Sequence, residues 1–175
     1  MSDATLDIRK YIRDIPDFPK TGVIFKDITL LLGDKNAFQE TINWITKPFL
    51  KSSIDEVVGV ESRGFVFASA AAYRLNAGFV PVRKPGKLPW KTIEASYALE
   101  YGTDKLQIHQ DAIQKGKRVL IVDDVLATGG TAAATVDLVN RLGGTIVGIV
   151  FLIELTFLNG RDKLKDYPFQ SLIQY

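Results

Sequence analysis

The sequence predicts an α/β domain built on a mostly parallel central sheet flanked by helices. Three observations carry that expectation. Four short apolar runs, Val57 to Val60, Phe79 to Val82, Val119 to Val122 and Ile146 to Ile153, have the length and β-branched content of buried strands. Small-residue helical stretches, Phe65 to Leu75 and Thr131 to Leu142, follow the first and third of them, so strand and helix alternate as in βαβ units. The 175 residues, 46% hydrophobic and 24% charged, suffice to bury a core without disulfides or metal.

Ahead of these elements, Leu6, Ile8 and Ile12 sit among charges, and the pattern predicts a short amphipathic helix over residues 4–13 that Pro16 and Pro19 stop. A second helix is expected to start at the capping residue Asp34. It carries Phe38, Ile42, Ile45 and Phe49 on one face, with Pro48 in its last turn. Neither an internal repeat nor a linker divides the chain, which predicts one domain over residues 1–175 with about 1–33 forming an accessory lobe.

Composition excludes several kinds of chemistry. Without cysteine there is no thiolate nucleophile, disulfide or iron–sulfur cluster, and the single histidine, His109, cannot make a two-histidine zinc site. Twenty-two basic residues against 20 acidic ones give a net charge of +2, too little for a whole-molecule field that binds nucleic acid or a membrane surface. With no long apolar run and no leader-like N-terminus, the expected location is the cytoplasm. An anion site must therefore be local.

The segment from Val119 to Thr131 offers one. Its apolar run ends in Asp123 and Asp124, at the strand end where open α/β sheets bind ligands, so both acids are expected to face the crevice. Ala127, Thr128, Gly129, Gly130 and Thr131 then lead into a helix. Paired glycines let the chain curl around a phosphate, with amides and threonine hydroxyls as donors. Two acids close to a phosphate suit the hydroxyls of a sugar, so the combination implies a sugar phosphate. Taken singly, the Asp pair also fits a helix cap and Gly-Gly a simple turn. Walker and dinucleotide-binding fingerprints are missing: Gly86-Lys87 runs into Leu88 instead of Ser or Thr, and no G-x-G-x-x-G follows a strand.

Val119 to Thr131 resembles the phosphoribosyl-pyrophosphate motif of the type I phosphoribosyltransferases. The likeness extends over nearly the whole chain, through Pro16 to Pro19, Gly22 to Ile28, Glu61 to Phe65, Arg83 to Pro89 and Leu99 to Gly102. It implies that family's fold, with a small N-terminal hood and a flexible basic loop. It also implies displacement of pyrophosphate from C1 of phosphoribosyl pyrophosphate by a purine nitrogen, and the N-terminal and Leu99 to Gly102 segments point to adenine, with AMP as product. The same likeness implies that Ser62, Arg63, Arg83 and Lys87 bind pyrophosphate and that Ile24, Phe25 and Lys26 contact adenine. It further gives Lys84 and Tyr101 to the lid and makes Glu100 the acid/base carboxylate. Magnesium held through the substrate, with no direct protein ligand, and a homodimer follow from the resemblance too.

By residue type alone, Arg63 fits a helix end, Arg83, Lys84, Lys87 and Lys91 a solvated face, Glu100 an exposed glutamate and Phe25 a core side chain. Three other functions use similar parts. A phosphoribosyltransferase for hypoxanthine, guanine or xanthine shares the chemistry. A regulator that senses phosphoribosyl pyrophosphate on the same fold needs an added DNA-binding domain, for which this length leaves no room. A receiver-like phosphorelay domain would set its acidic pocket near the first strand.

Overall fold

The computed structural model describes residues 6–98 and 102–175. The chain forms two compact units, one reaching to Trp44 and the other spanning Ile45–Tyr175.

In the first unit, strands β1 (Arg13–Pro16) and β2 (Ile24–Asp27) pair antiparallel, followed by a short helix α1 (Thr29–Gly33) and the start of α2 (Lys35–Thr46). The helix expected over 4–13 is only a single 3-10 turn, Ile8–Tyr11, within the described residues. Ile12 is already extended, and Arg13 and Asp14 lie opposite Asp27 and Lys26, where ion pairs of 2.6 Å and 2.7 Å favour the ribbon. Three scattered apolar residues give a helix too little to bury. The cap at Asp34 is where the sequence puts it: its carboxylate accepts from the Asn36 and Ala37 N–H groups, each at 2.9 Å.

The second unit contains a five-stranded, wholly parallel sheet in the order β4-β3-β7-β8-β9, comprising β4 (Gly78–Val82), β3 (Glu56–Val60), β7 (Arg118–Leu126), β8 (Thr145–Glu154) and β9 (Phe169–Gln174). The four strands read from apolar runs are all present. Helix α3 (Gly64–Leu75) connects β3 to β4, and α4 (Gly130–Arg141) lies between β7 and β8. Both faces of the sheet are covered. The β3 side that carries Gly59 lies against α3, so close that a Cβ on Gly59 would stand 2.6 Å from that of Ala68. On the other side, Val58, Val60, Ile121, Ile149 and Phe151 share one apolar cluster with Leu138 and Val139 of α4 and with Leu106 and Ile108.

Leu106 and Ile108 belong to an antiparallel pair, β5 (Thr92–Ala98) and β6 (Thr103–His109), that the sequence reading did not anticipate. Its apolar side chains alternate along β6, Leu106 and Ile108 being buried between less buried neighbours. At its base His109 meets Trp90 edge-on, 6.3 Å between ring centres. Among the described residues no helix is long and apolar enough to cross a membrane.

The strand order decides where a ligand can sit. From the adjacent pair β3 and β7, one crossover runs outward to β4 and the other runs the opposite way to β8. That divergence is a topological switch point, and the crevice opens beyond the C-terminal ends of β3 and β7.

Candidate functional site

At the end of β7 the chain turns through Ala127 to Gly129 and enters α4 at Gly130. Gly129 is left-handed at φ +76, and a Cβ there would stand 2.5 Å from the Gly160 carbonyl oxygen, so backbone shape and crowding both demand glycine. The loop wraps a cavity of about 60 Å³ lined by Asp123, Ala127, Thr128, Gly129, Gly130 and Thr131 together with Phe151 of β8. The N–H groups of Gly130, Thr131 and Ala132 open α4 and have no carbonyl one turn back to bond. Pointing outward at a positive helix end, they make this cavity an anion cup. All five cup residues read from the sequence lie together.

The acidic pair stands differently from expectation. The strand does not stop before the carboxylates: β7 continues through them to Leu126, and its pleat sends the two side chains different ways. Asp123 lines the cup and accepts from the Asp124 N–H at 2.9 Å, while Asp124 meets Arg63 Nε at 2.6 Å. Only Asp123 therefore faces the cup. Asp124 Oδ2 is buried and accepts no well-directed hydrogen bond despite that close ion pair. Burial, and then the charge of Asp124, push the Asp123 carboxyl well above the ordinary carboxylate value; burial raises Asp124 as well, with Arg63 opposing. A carboxyl that takes a proton more readily repels a neighbouring phosphate less.

Beyond β3, the turn Glu61-Ser62-Arg63 leads into α3, and the Glu61–Ser62 peptide is cis. Here the sequence reading missed the central group. Glu61, whose side chain is only 11% exposed, receives Arg83 Nε and Nη2, each at 3.2 Å, Lys87 Nζ at 2.7 Å and the Lys84 N–H at 3.2 Å. Burial alone would raise its carboxyl, but the hydrogen bonds from Arg83, Lys87 and the Lys84 amide outweigh burial and hold it at about 2. Two of the cations assigned to pyrophosphate, Arg83 and Lys87, thus converge on one carboxylate.

The basic turn is tied down in other ways. Arg83 exchanges both backbone hydrogen bonds with Gln107 of β6 and donates through Nη1 to the Lys87 carbonyl. Lys84 Nζ lies 2.9 Å from Asp104 Oδ2, an oxygen that also accepts from the Tyr97 hydroxyl at 3.1 Å. Hairpin and basic turn are therefore linked by side chains. Burial raises the Tyr97 phenol, so it stays a donor at neutral pH. Glu100 and Tyr101, the acid/base and lid candidates, lie outside the described residues.

The base-contacting candidates belong to the first unit. Ile24 is exposed, Phe25 packs edge-on against Phe18 with ring centres 5.1 Å apart, and Lys26 Nζ is 2.7 Å from Asp14 Oδ1. Because the Lys26 ammonium already holds Asp14, a main-chain contact to the base from this position is the simpler one. Among the described residues no group of three or more carboxylate or histidine side chains gathers as metal ligands.

A glycine-built cup, a buried acid pair and a cationic turn at one switch point define a class of protein. Residues 32–172 match the model of the phosphoribosyl transferase domain, and the chain belongs to that family. Its relatives narrow the class. It is 58% identical over 168 residues to the adenine phosphoribosyltransferase of Koribacter versatilis, covering 96% of this chain and 92% of that one. Among solved structures it is similar to the adenine phosphoribosyltransferase of Thermoanaerobacter pseudethanolicus, with TM-score 0.93, 54% identity, and 96% of this chain and 98% of the other covered. It is also similar to that of Saccharomyces cerevisiae complexed with an imino-altritol bisphosphate and adenine, with TM-score 0.89, 41% identity, and coverage of 94% and 96%.

Proposed function

We propose that this chain transfers the 5-phosphoribosyl group of phosphoribosyl pyrophosphate to adenine, giving AMP and pyrophosphate, a purine-salvage step. The single observation that carries the reading is the cup. Its open amides at the switch point suit a 5-phosphate, and Asp123 at its lip suits a ribose hydroxyl.

A ring nitrogen of the base bonds to C1 as the C1–O bond to pyrophosphate breaks. Positive charge grows on the ribose, and the departing electron pair goes to pyrophosphate. Arg63, Arg83 and Lys87 stabilise that leaving charge, with Arg83 and Lys87 exchanging Glu61 for the incoming phosphates. Asp123 and Asp124 hold the ribose end, Asp123 from the lip of the cup. Magnesium borne by the pyrophosphate oxygens supplies further neutralisation when bound. Glu100 takes the ring proton, and Ile24, Phe25 and Lys26 receive the base. Lys84 and Tyr101 belong to the lid, whose closure keeps water from replacing adenine. The same reading includes a cytoplasmic location and a homodimer, for which the exposed Val66 and Tyr73 of α3 offer apolar surface.

The test is turnover. The protein is incubated with Mg²⁺, phosphoribosyl pyrophosphate and each nucleobase singly, and nucleotide and pyrophosphate are measured. Formation of AMP from adenine and no nucleotide from hypoxanthine, guanine or xanthine is expected. Turnover of a 6-oxo purine instead would give the site to another base, and binding without turnover would make the chain a sensor. Glu100→Gln lowers kcat by about 100-fold while ribose-phosphate affinity stays constant; an unchanged kcat removes Glu100 from the mechanism.

A further inference from the structure

Glu154 is a buried carboxylate for which the reaction above has no use. It ends β8, beside Leu126 at the end of the cup strand, and is 1% exposed. Both its oxygens are occupied. Oε1 accepts from Arg161 Nε at 2.6 Å, and Oε2 accepts from Arg161 Nη2 at 2.8 Å and from the Ser171 hydroxyl at 2.7 Å, with Gln174 Nε2 at 3.4 Å. This is a two-pronged arginine clamp, and the Phe169 ring supports the guanidinium 5.5 Å away. The Arg161 bonds hold the Glu154 carboxyl below its ordinary value even though burial works the other way.

The residue before Arg161 gives the clamp a purpose. Gly160 is buried and opens a 3-10 segment, Gly160–Leu164, lying directly behind the anion cup. A Cβ on Gly160 would collide with the Ala127 carbonyl oxygen and stand 2.9 Å from the Gly129 nitrogen. Gly129 has the reciprocal clash with Gly160. Two backbones are thus in contact at the bend that sets where the cup amides point. Leu164, buried in the core, anchors the far end of the segment, and Glu154 anchors the near end through Arg161.

We infer that Glu154 and Arg161 are positioning residues for phosphate binding: by clamping the 3-10 segment they press Gly160 against Ala127 and Gly129 and fix the curvature of the cup. The inference rests on the cup's role in holding a phosphate. It assigns the two residues an effect on affinity for the phosphorylated substrate with no effect on the chemical step.

The experiment measures ribose 5-phosphate binding by titration calorimetry, and KM and kcat in the transfer assay, for the full chain and for Glu154→Gln, Arg161→Ala, Arg161→Lys and Gly160→Ala. Glu154→Gln sets an amide N–H against the guanidinium and is expected to weaken ribose 5-phosphate binding about tenfold, raising KM for phosphoribosyl pyrophosphate alike while kcat changes less than about twofold. Arg161→Lys regains part of what Arg161→Ala loses, and Gly160→Ala weakens binding most. Should Glu154→Gln fail to fold, Arg161→Ala, at a side chain half exposed to solvent, carries the test. Folded variants with lowered thermal stability and wild-type affinity overturn the clamp's role and leave the cup reading intact. A wild-type chain that does not bind ribose 5-phosphate overturns both.

Discussion

The loop after β7 and the turn after β3 stand at the C-terminal ends of neighbouring strands, and the same reaction asks each to hold phosphate, but they are made of different material. The first is backbone: its donors are amides aimed by a left-handed glycine and backed by Gly160. The second is side-chain charge, Arg83 and Lys87 gathered on Glu61 and Arg63 on Asp124. A phosphate entering the cup displaces little protein, because helix-opening amides lack partners in any case. A pyrophosphate at the turn must compete with carboxylates that already satisfy the cations. On the proposed function, geometry holds the group that stays through the reaction, and exchangeable charge holds the group that must leave.

Substitutions probe that contrast. The largest effect belongs to Gly129→Ala, which forces a side chain into the left-handed conformation and against the Gly160 carbonyl. It raises KM for phosphoribosyl pyrophosphate by about 100-fold in steady-state assays, since displacing a cradle by an ångström costs that much. A near-normal KM would show that the cup is not shape-critical. Arg83→Ala comes next, weakening pyrophosphate binding about tenfold, as measured by product inhibition, with ribose 5-phosphate affinity unchanged. Loss of both affinities together would mean that the two sites do not act separately.

Glu61→Gln has the smallest effect. It removes the competitor, so pyrophosphate inhibition tightens by about threefold, the scale of a partly exposed ion pair. The same variant alters acid stability. The Glu61 carboxyl sits at about 2 against an ordinary value of 4.5, so its stabilising contribution is complete above 4.5 and disappears as pH falls toward 2. Unfolding curves of the wild type fall over that interval, and those of Glu61→Gln are flatter there. Superimposable curves would deny Glu61 its hold on the cations.

Local signals made part of this legible in the sequence. Strands β3, β7 and β8 are buried on both faces and β4 on one, and all four show as apolar runs; the cup is contiguous, with glycines that have few other uses before a helix. The N-terminal helix shortens to one turn because Leu6, Ile8 and Ile12 give it little to bury, and from Arg13 the chain joins the β1–β2 ribbon. Strand β9 escaped because Phe169–Gln174 mixes polar and apolar residues. Glu61 shows in the sequence only as part of a motif because its partners stand 22 and 26 residues away, and Gly160 gives no signal because its need for glycine comes from a backbone distant in sequence. A residue whose task is set by a tertiary neighbour leaves no periodic trace.

The most direct test of the account is a crystal soaked with AMP. Its phosphate is expected within hydrogen-bonding distance of the amides from Thr128 to Ala132, with a ribose hydroxyl on Asp123. AMP bound elsewhere, with those amides facing only water, would contradict it.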